Sequence, residues 1–293
     1  MKYIEKHPMI MIVVGVFGIS LSSIFVKFST APSSVTAAWR LLWTVILMTP
    51  AVLGNGKIRQ EMTHTDRKTL LLSFLSGAFL AVHFAVWFES LRHTTVASST
   101  TIVCTEVIWV SLGYCLFLKG KLSKKAVLAI AITLFGSIFI AWADSGAGGF
   151  HLYGDFLALI AAIAVAVYTL LGRIIRAKTS TTVYTYLCYS ACALVLLMLC
   201  GINGQNLLGY GFSAVIVGLL LSLFSTILGH SIFSWCLRYF SPSFVSASKL
   251  CEPVISAILA AFLFAEIPTF LQILGGGLIL GGVLYYSKIE AKQ

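Results

Sequence analysis

Lys249, Glu252 and Pro253 stand near the middle of the apolar stretch 241–266, SPSFVSASKLCEPVISAILAAFLFAE, which is long enough to cross a bilayer. A charge at bilayer depth costs about 2.5–3.5 kcal/mol on insertion scales, and a proline frees a backbone carbonyl. Such a cluster persists only inside a protein bundle or beside a water-lined cavity, which makes it the first candidate for a functional centre. The stretch TTVASSTTIVCTEVIWVSLGYCLFLKGKLS repeats the pattern, with Glu106 in the place of Glu252. Two carboxylates brought into one low-dielectric layer suit proton coupling or the binding of a cation. The bland alternative is an ion pair that serves assembly alone, of Lys249 with Glu252 one helical turn away or with Glu106 across a helix interface.

His83 and His230 occupy adjacent positions when the two halves are aligned, so they are candidates for a proton relay; a histidine bonded to a neighbouring carbonyl is the plainer reading. Arg40 lies inside an apolar run, either to attract a substrate carboxylate or to snorkel to the interface. Among the aromatics near these positions, Trp39, Trp87, Trp109, Tyr168 and Trp235, we expect Trp87 and Trp109 to form a substrate wall, because they share helices with His83 and Glu106. The expected set is therefore His83, Trp87, Trp109, Tyr168, Arg40 and Lys249 for substrate, and Glu106, Glu252 and His230 for coupling, with protons as the candidate coupling ion.

Positioning these residues requires spans. The chain has 293 residues, 59% of them hydrophobic and 10% charged, with a mean hydropathy of +0.96. Soluble domains carry about a quarter charged residues, so this composition excludes one and reads as an all-α polytopic membrane protein. Its contacts are a small-molecule substrate and membrane lipid. Ten apolar segments fall at 8–28, 35–53, 69–91, 96–118, 125–143, 154–174, 182–200, 212–237, 243–264 and 268–286. A net charge of +10 arises from cations in short connections, without a basic run interleaved with aromatics, so no nucleic-acid partner is expected. The seven cysteines lie in or at the ends of apolar segments without CxxC or Cys/His spacing, so we expect packing residues, no metal and no cofactor.

Orientation follows from the cations. Lys2, Lys6, Lys57, Arg59, Arg67, Lys68, Lys119, Lys121, Lys124, Lys125, Arg173, Arg176, Lys178 and Arg238 fall at the N-terminus or in even-numbered connections, and Lys288 and Lys292 at the C-terminus. The odd-numbered connections hold only Lys27 and Arg92, which predicts that both termini are cytoplasmic. The basic start followed by a long apolar run without a small-residue cleavage site reads as the first span, not a signal peptide.

One offset relates Glu106 to Glu252, Leu91-Arg92 to Leu237-Arg238, Phe117-Leu118 to Leu263-Phe264, Gly136 to Gly282 and Lys27 to Arg173. An internal repeat follows, covering 8–143 and 150–287. Five spans per half invert the second half relative to the first, and inverted repeats hold their substrate site near the midplane. The glycines at 275–277 and 281–282 predict close helix approach, within the bundle or between the protomers of a homodimer.

The segments SGAFLAVHFAVWFESLRHTTVASSTTIV and GHSIFSWCLRYFSPSFVSASKLCEPVISAILAAFLFAE, the arginine of AAWRLLW and the LFAE ending resemble the two repeats of EamA-type permeases in the drug/metabolite transporter superfamily. The resemblance implies a ten-helix secondary transporter in the cell membrane that exports small metabolites such as amino acids, without ATP. Organic cations such as quaternary ammonium compounds are the alternative substrates. Two positions depart from the family pattern: Leu118-Lys119-Gly120-Lys121 replaces the usual Gly-Glu pair, leaving that glutamate only as Glu266, and Glu106 replaces the commoner proline. An intramembrane enzyme would require HExxH, GxGD or GxSxG, none of which occurs. A passive scaffold has no need of buried charge at a repeat axis.

Overall fold

The computed structural model describes residues 8–94, 96–144, 152–264 and 270–290, and the regular elements among them are all helical. In chain order they are α1 (Pro8–Ser20), α2 (Ser22–Lys27), α3 (Ser33–Gly54), α4 (Gly56–Thr63), α5 (Arg67–His93), α6 (Val96–Cys104), α7 (Glu106–Phe117), α8 (Lys124–Asp144), α9 (Leu152–Arg176), α10 (Thr181–Ile202), α11 (Phe212–Leu220), a π-helical segment (Leu221–His230), α12 (Ser231–Cys236), α13 (Pro242–Ser248), a 3₁₀ turn (Lys249–Cys251), α14 (Glu252–Phe264) and α15 (Phe270–Glu290). The connection expected at 145–149, Glu266 and the chain termini lie outside the described residues.

Seven stretches among the described residues are long and apolar enough to cross a membrane: Pro8–Lys27, Ser33–Gly54, Arg67–His93, Ser99–Phe117, Leu152–Arg176, Thr181–Ile202 and Phe212–Cys236. The protein is therefore a multi-pass helical membrane protein. Helices α8 and α15, of 21 residues each, coincide with the fifth and tenth expected segments. Polar side chains set several boundaries by accepting from free backbone N–H groups. Asp66 accepts from Thr69 N (2.6 Å), Ser180 from Val183 N (3.3 Å) and Ser241 from Phe244 N (3.2 Å).

Four expected segments are interrupted, the first of them at Leu21, between α1 and α2. In the fourth, Thr105 N bonds Ile102 O (3.0 Å) and Ile108 N bonds Thr105 O (2.9 Å), three-residue spacings that break the helix immediately before Glu106. In the ninth, Pro253 has no N–H to offer the carbonyl of Lys249, and the 3₁₀ turn occupies that step, immediately before Glu252. In the eighth, ten residues wind as a π-helix that ends on His230. After α7, Lys119 adopts a φ of 53°, left-handed backbone that favours glycine.

Two apolar clusters fill the bundle. One gathers Leu80, Phe84, Val165 and Tyr189 from α5, α9 and α10, together with residues of α3; the other gathers Val107, Phe233, Leu250 and Ile279. The most extensive pairings are α5 on α9, α8 on α15, α10 on α5 and α3, and α1 on the π-helical segment. Helices α8 and α15 meet at glycines: a Cβ on Gly136 would lie 2.6 Å from Gly275 O, and one on Gly282 would lie 2.5 Å from Thr133 Cγ2.

Candidate functional site

Residues from seven of the expected segments converge on a small internal cavity of about 40 Å3. Arg40 comes from α3, His83 and Trp87 from α5, and Glu106 from the first residue of α7. His230 closes the π-helical segment, Lys249 opens the 3₁₀ turn and Glu252 opens α14. Both carboxylates thus project from helix interruptions. On the same wall Trp87 and Val165 belong to the first apolar cluster and Ile19 to the second, so the cavity lies where the clusters meet.

Arg40 is fully buried and does not snorkel. Its Nε donates to Thr226 Oγ1 (2.7 Å), its Nη1 to Ser22 Oγ (3.3 Å), and its guanidinium carbon lies 4.0 Å from the centroid of Phe84. Its Nη2 has no protein partner, and Arg40 forms no ion pair among the described residues. A guanidinium held this way keeps one donor edge for an external acceptor.

Lys249 Nζ lies 2.9 Å from Glu106 Oε1, with both side chains nearly inaccessible. The ammonium also lies 5.4 Å from the centroid of Phe233. Of the two partners open to Lys249 in the sequence, the fold brings Glu106; α13 packs against α7 and carries the lysine across. Glu252 makes no ion pair among the described residues, and its Oε1 has no hydrogen-bond partner.

The histidines meet at the same wall. His83 Nδ1 shares a hydrogen bond with Ala161 O (3.0 Å), and its ring stacks on Trp87 with centroids 5.7 Å apart. His230 lies 6.4 Å from His83, edge-on, with Nδ1 free of protein partners. Tyr168 stands behind His230 at 6.0 Å with its hydroxyl 3.0 Å from Ser234 Oγ, one layer away from the cavity. Trp109 corrects the expectation made for it. It is 36% exposed and shares an outward face with Ile108, Leu112 and Leu116, while Val107 and Val110 point inward. Sharing a helix with Glu106 was no guide to facing the same way.

Beside the Lys249–Glu106 pair, four polar atoms of the cavity wall are buried without a protein partner among the described residues: Arg40 Nη2, Trp87 Nε1, His230 Nδ1 and Glu252 Oε1. Each costs about 1–3 kcal/mol if left unsatisfied, so their concentration in one place is what a site for a polar solute requires. No group of three His, Cys, Asp or Glu among the described residues is placed to hold a metal ion. The residues that sequence reasoning missed are Ser22, Thr226 and Phe84, which hold Arg40. The hydroxyl run Ser20–Ser23 inside an apolar segment was the one available hint.

A multi-pass helical bundle whose buried charges converge on an internal cavity is the build of a membrane transport protein. The sequence matches the EamA-like transporter family over residues 7–142 and again over 152–288. The chain belongs to that family. It is 26% identical over 236 residues to the uncharacterized transporter YdfC of Bacillus subtilis (strain 168), covering 78% of this chain and 76% of that protein. It is 24% identical over 275 residues to the uncharacterized transporter sll1319 of Synechocystis sp., covering 91% and 83%. A crystal structure of a protein 16% identical to it superposes with a TM-score of 0.78 over 98% of each chain, which shows the shared fold.

Proposed function

We propose that this chain is a secondary active transporter of the cell membrane that exports small zwitterionic metabolites such as amino acids. On this reading it crosses the membrane ten times as two inverted five-helix repeats and works by alternating access around the cavity at Arg40. Exchange of the halves supports the repeat. The interruption before Glu106 corresponds to the one before Glu252, and Gly136 to Gly282. The pairing of α5 with α9 corresponds to that of the π-helical segment with α1.

The observation that carries the substrate class is the charge arrangement. Lys249 and Glu106 neutralise each other, which leaves one cation, Arg40, and one anion, Glu252, each without a counter-charge in contact among the described residues. A solute carrying both a carboxylate and an ammonium answers both. A quaternary ammonium compound would answer Glu252 and leave Arg40 alone, so the organic-cation alternative is disfavoured. A cavity of about 40 Å3 has room for about three waters, at roughly 10–15 Å3 each, and not for an amino acid. The solute therefore enters only when the halves separate. Between solutes, Glu252 is the group we propose to take a proton in place of the ammonium, with Glu106 held by Lys249 and His230 facing the same space.

The test is counterflow in liposomes with amino acids, amines and nucleosides. Amino acids should exchange and simple amines should not. Arg40→Gln should lower kcat/KM by about tenfold to a hundredfold, the equivalent of a charged hydrogen bond, while Arg40→Lys retains part of the activity. Exchange of quaternary amines that survives Arg40→Gln would overturn the zwitterion reading.

A further inference from the structure

A second cavity, of about 280 Å3, lies at the end of the bundle where α2, α3 and α5 come together. The offset that relates Glu106 to Glu252 carries its wall to the opposite end of the molecule. Lys27, Thr30, Ser33, Phe88 and Leu91 line the cavity, and their counterparts are Arg173, Arg176, Thr179, Ser234 and Leu237. Helix α9 spans the distance between the two sets. A Cβ near its start, on Gly154, would lie 2.8 Å from Thr94 N, two residues beyond Arg92 of the cavity wall, and Arg173 and Arg176 stand in its last turn.

At that opposite end the counterparts bond one another. Arg173 Nη1 donates to Leu237 O and to Phe240 O (3.3 Å), while Arg176 donates through Nε to Ser234 O (3.2 Å) and through Nη1 to Thr179 O. The hydroxyls of Tyr168 and Ser234, 3.0 Å apart, add a further tie between α9 and α12. Leu237 is buried, with Cδ1 3.1 Å from where a Cβ on Gly172 would stand, whereas its counterpart Leu91 is only half-buried. Cations on the last carbonyls of a helix are favourable in themselves. Capping alone does not account for one end being tied where the other encloses a cavity.

The tied end leads to the inner cavity. Helix α12 starts one residue after His230, and Val165 of α9 stands on the same wall as His230. Val165, Thr169 and Arg173 follow one another at single turns along α9. Between the cavity and the arginine, Thr169 Oγ1 is buried without a protein partner, a hydroxyl that water entering along this face would satisfy.

We propose that Arg173 and Arg176 are a latch: they hold α12 against α9 in the state described here, and their release opens the inner cavity towards Arg173 while the cavity at the other end closes. The proposal rests on the alternating-access reading and is independent of the substrate.

The test compares Leu91→Cys and Leu237→Cys, counterpart positions at the two ends, each in the full chain in permeabilised membranes. The probe is hydroxyethyl methanethiosulfonate, which carries no charge, and mass spectrometry reads its addition at residue 91 or 237, with fragmentation separating 237 from Cys236. Residue 91 should react faster than residue 237. Arg173→Gln with Arg176→Gln should raise the rate at 237 by about tenfold, as for the loss of a charged hydrogen bond, and should lower the rate at 91. Lysine at both positions should give an intermediate shift. Either glutamine alone should move the two rates in the same directions by less, which carries the test if the double variant does not fold. A rise at 237 without the fall at 91 would make the arginines a helix cap only and overturn the proposal, as would unchanged rates at both. Failure of amino-acid counterflow with the reciprocal rates intact would overturn the substrate reading and leave the latch standing.

Discussion

Removing one member of a buried ion pair leaves a charge without a partner, at about 3–5 kcal/mol, whereas replacing both members is often near neutral. Lys249 and Glu106, 2.9 Å apart and almost inaccessible, meet those conditions. Lys249→Met should therefore lower the melting temperature markedly, and Glu106→Gln in the same chain should restore much of the loss. Glu252→Gln should restore far less, because among the described residues Lys249 makes its ion pair with Glu106 and not with Glu252. A melting-temperature cycle over the three substitutions checks this, and rescue by Glu252→Gln would sink the assigned pair. The sequence placed all three charges at depth and left the partner open, since a residue three positions away in a helix and one across an interface satisfy the same electrostatics. Orientation was equally hidden at Trp109, where depth was legible and the outward direction of the side chain was not.

Helices α8 and α15 show how one missing methyl group sets a helix distance. A Cβ at Gly136 would lie 2.6 Å from the carbonyl oxygen of Gly275 and 2.8 Å from Ile279 Cγ1, so the added group meets backbone that cannot rotate away. Gly136→Ala should destabilise by about 1–3 kcal/mol through overpacking. Gly277→Ala, with nothing within 4 Å of its Cβ, should be neutral or stabilising by up to about 1 kcal/mol through helix propensity. Equal melting temperatures for the two variants would contradict the close approach. Apolar run length made the helices legible, and Pro253 announced one interruption because it lacks an N–H. The turn at Thr105 and the π-helical segment were not legible, because TIVCTEV contains no breaker and the single Gly229 near the end of LSLFSTILGH does not announce ten residues of wider winding. Their backbone is decided by neighbours such as Arg40, which takes Thr226 Oγ1 as an acceptor.

The connections sort themselves to two ends of the molecule. At one end Thr30 Oγ1 lies 2.9 Å from Ser213 Oγ and Ser34 bonds Gln205, joining the first connection to the seventh; Thr94 Oγ1 donates to Asp155 (2.8 Å) near the third and fifth. At the other, Glu61 accepts from Ser180 N (2.5 Å), Arg173 bonds the carbonyl of Leu237, and Glu290 accepts from Ser241 N (2.5 Å). Odd-numbered connections thus gather with odd and even with even, as an alternating path through the membrane demands. The second end carries Lys57, Arg59, Arg173, Arg176 and Lys178, and by this excess of cations it is the end we propose to face the cytoplasm. Asn203→Cys should then react with an impermeant maleimide on intact cells, and Gly56→Cys only after permeabilisation. Labelling of residue 56 from outside, with residue 203 protected, would invert the orientation while leaving the grouping of the connections intact.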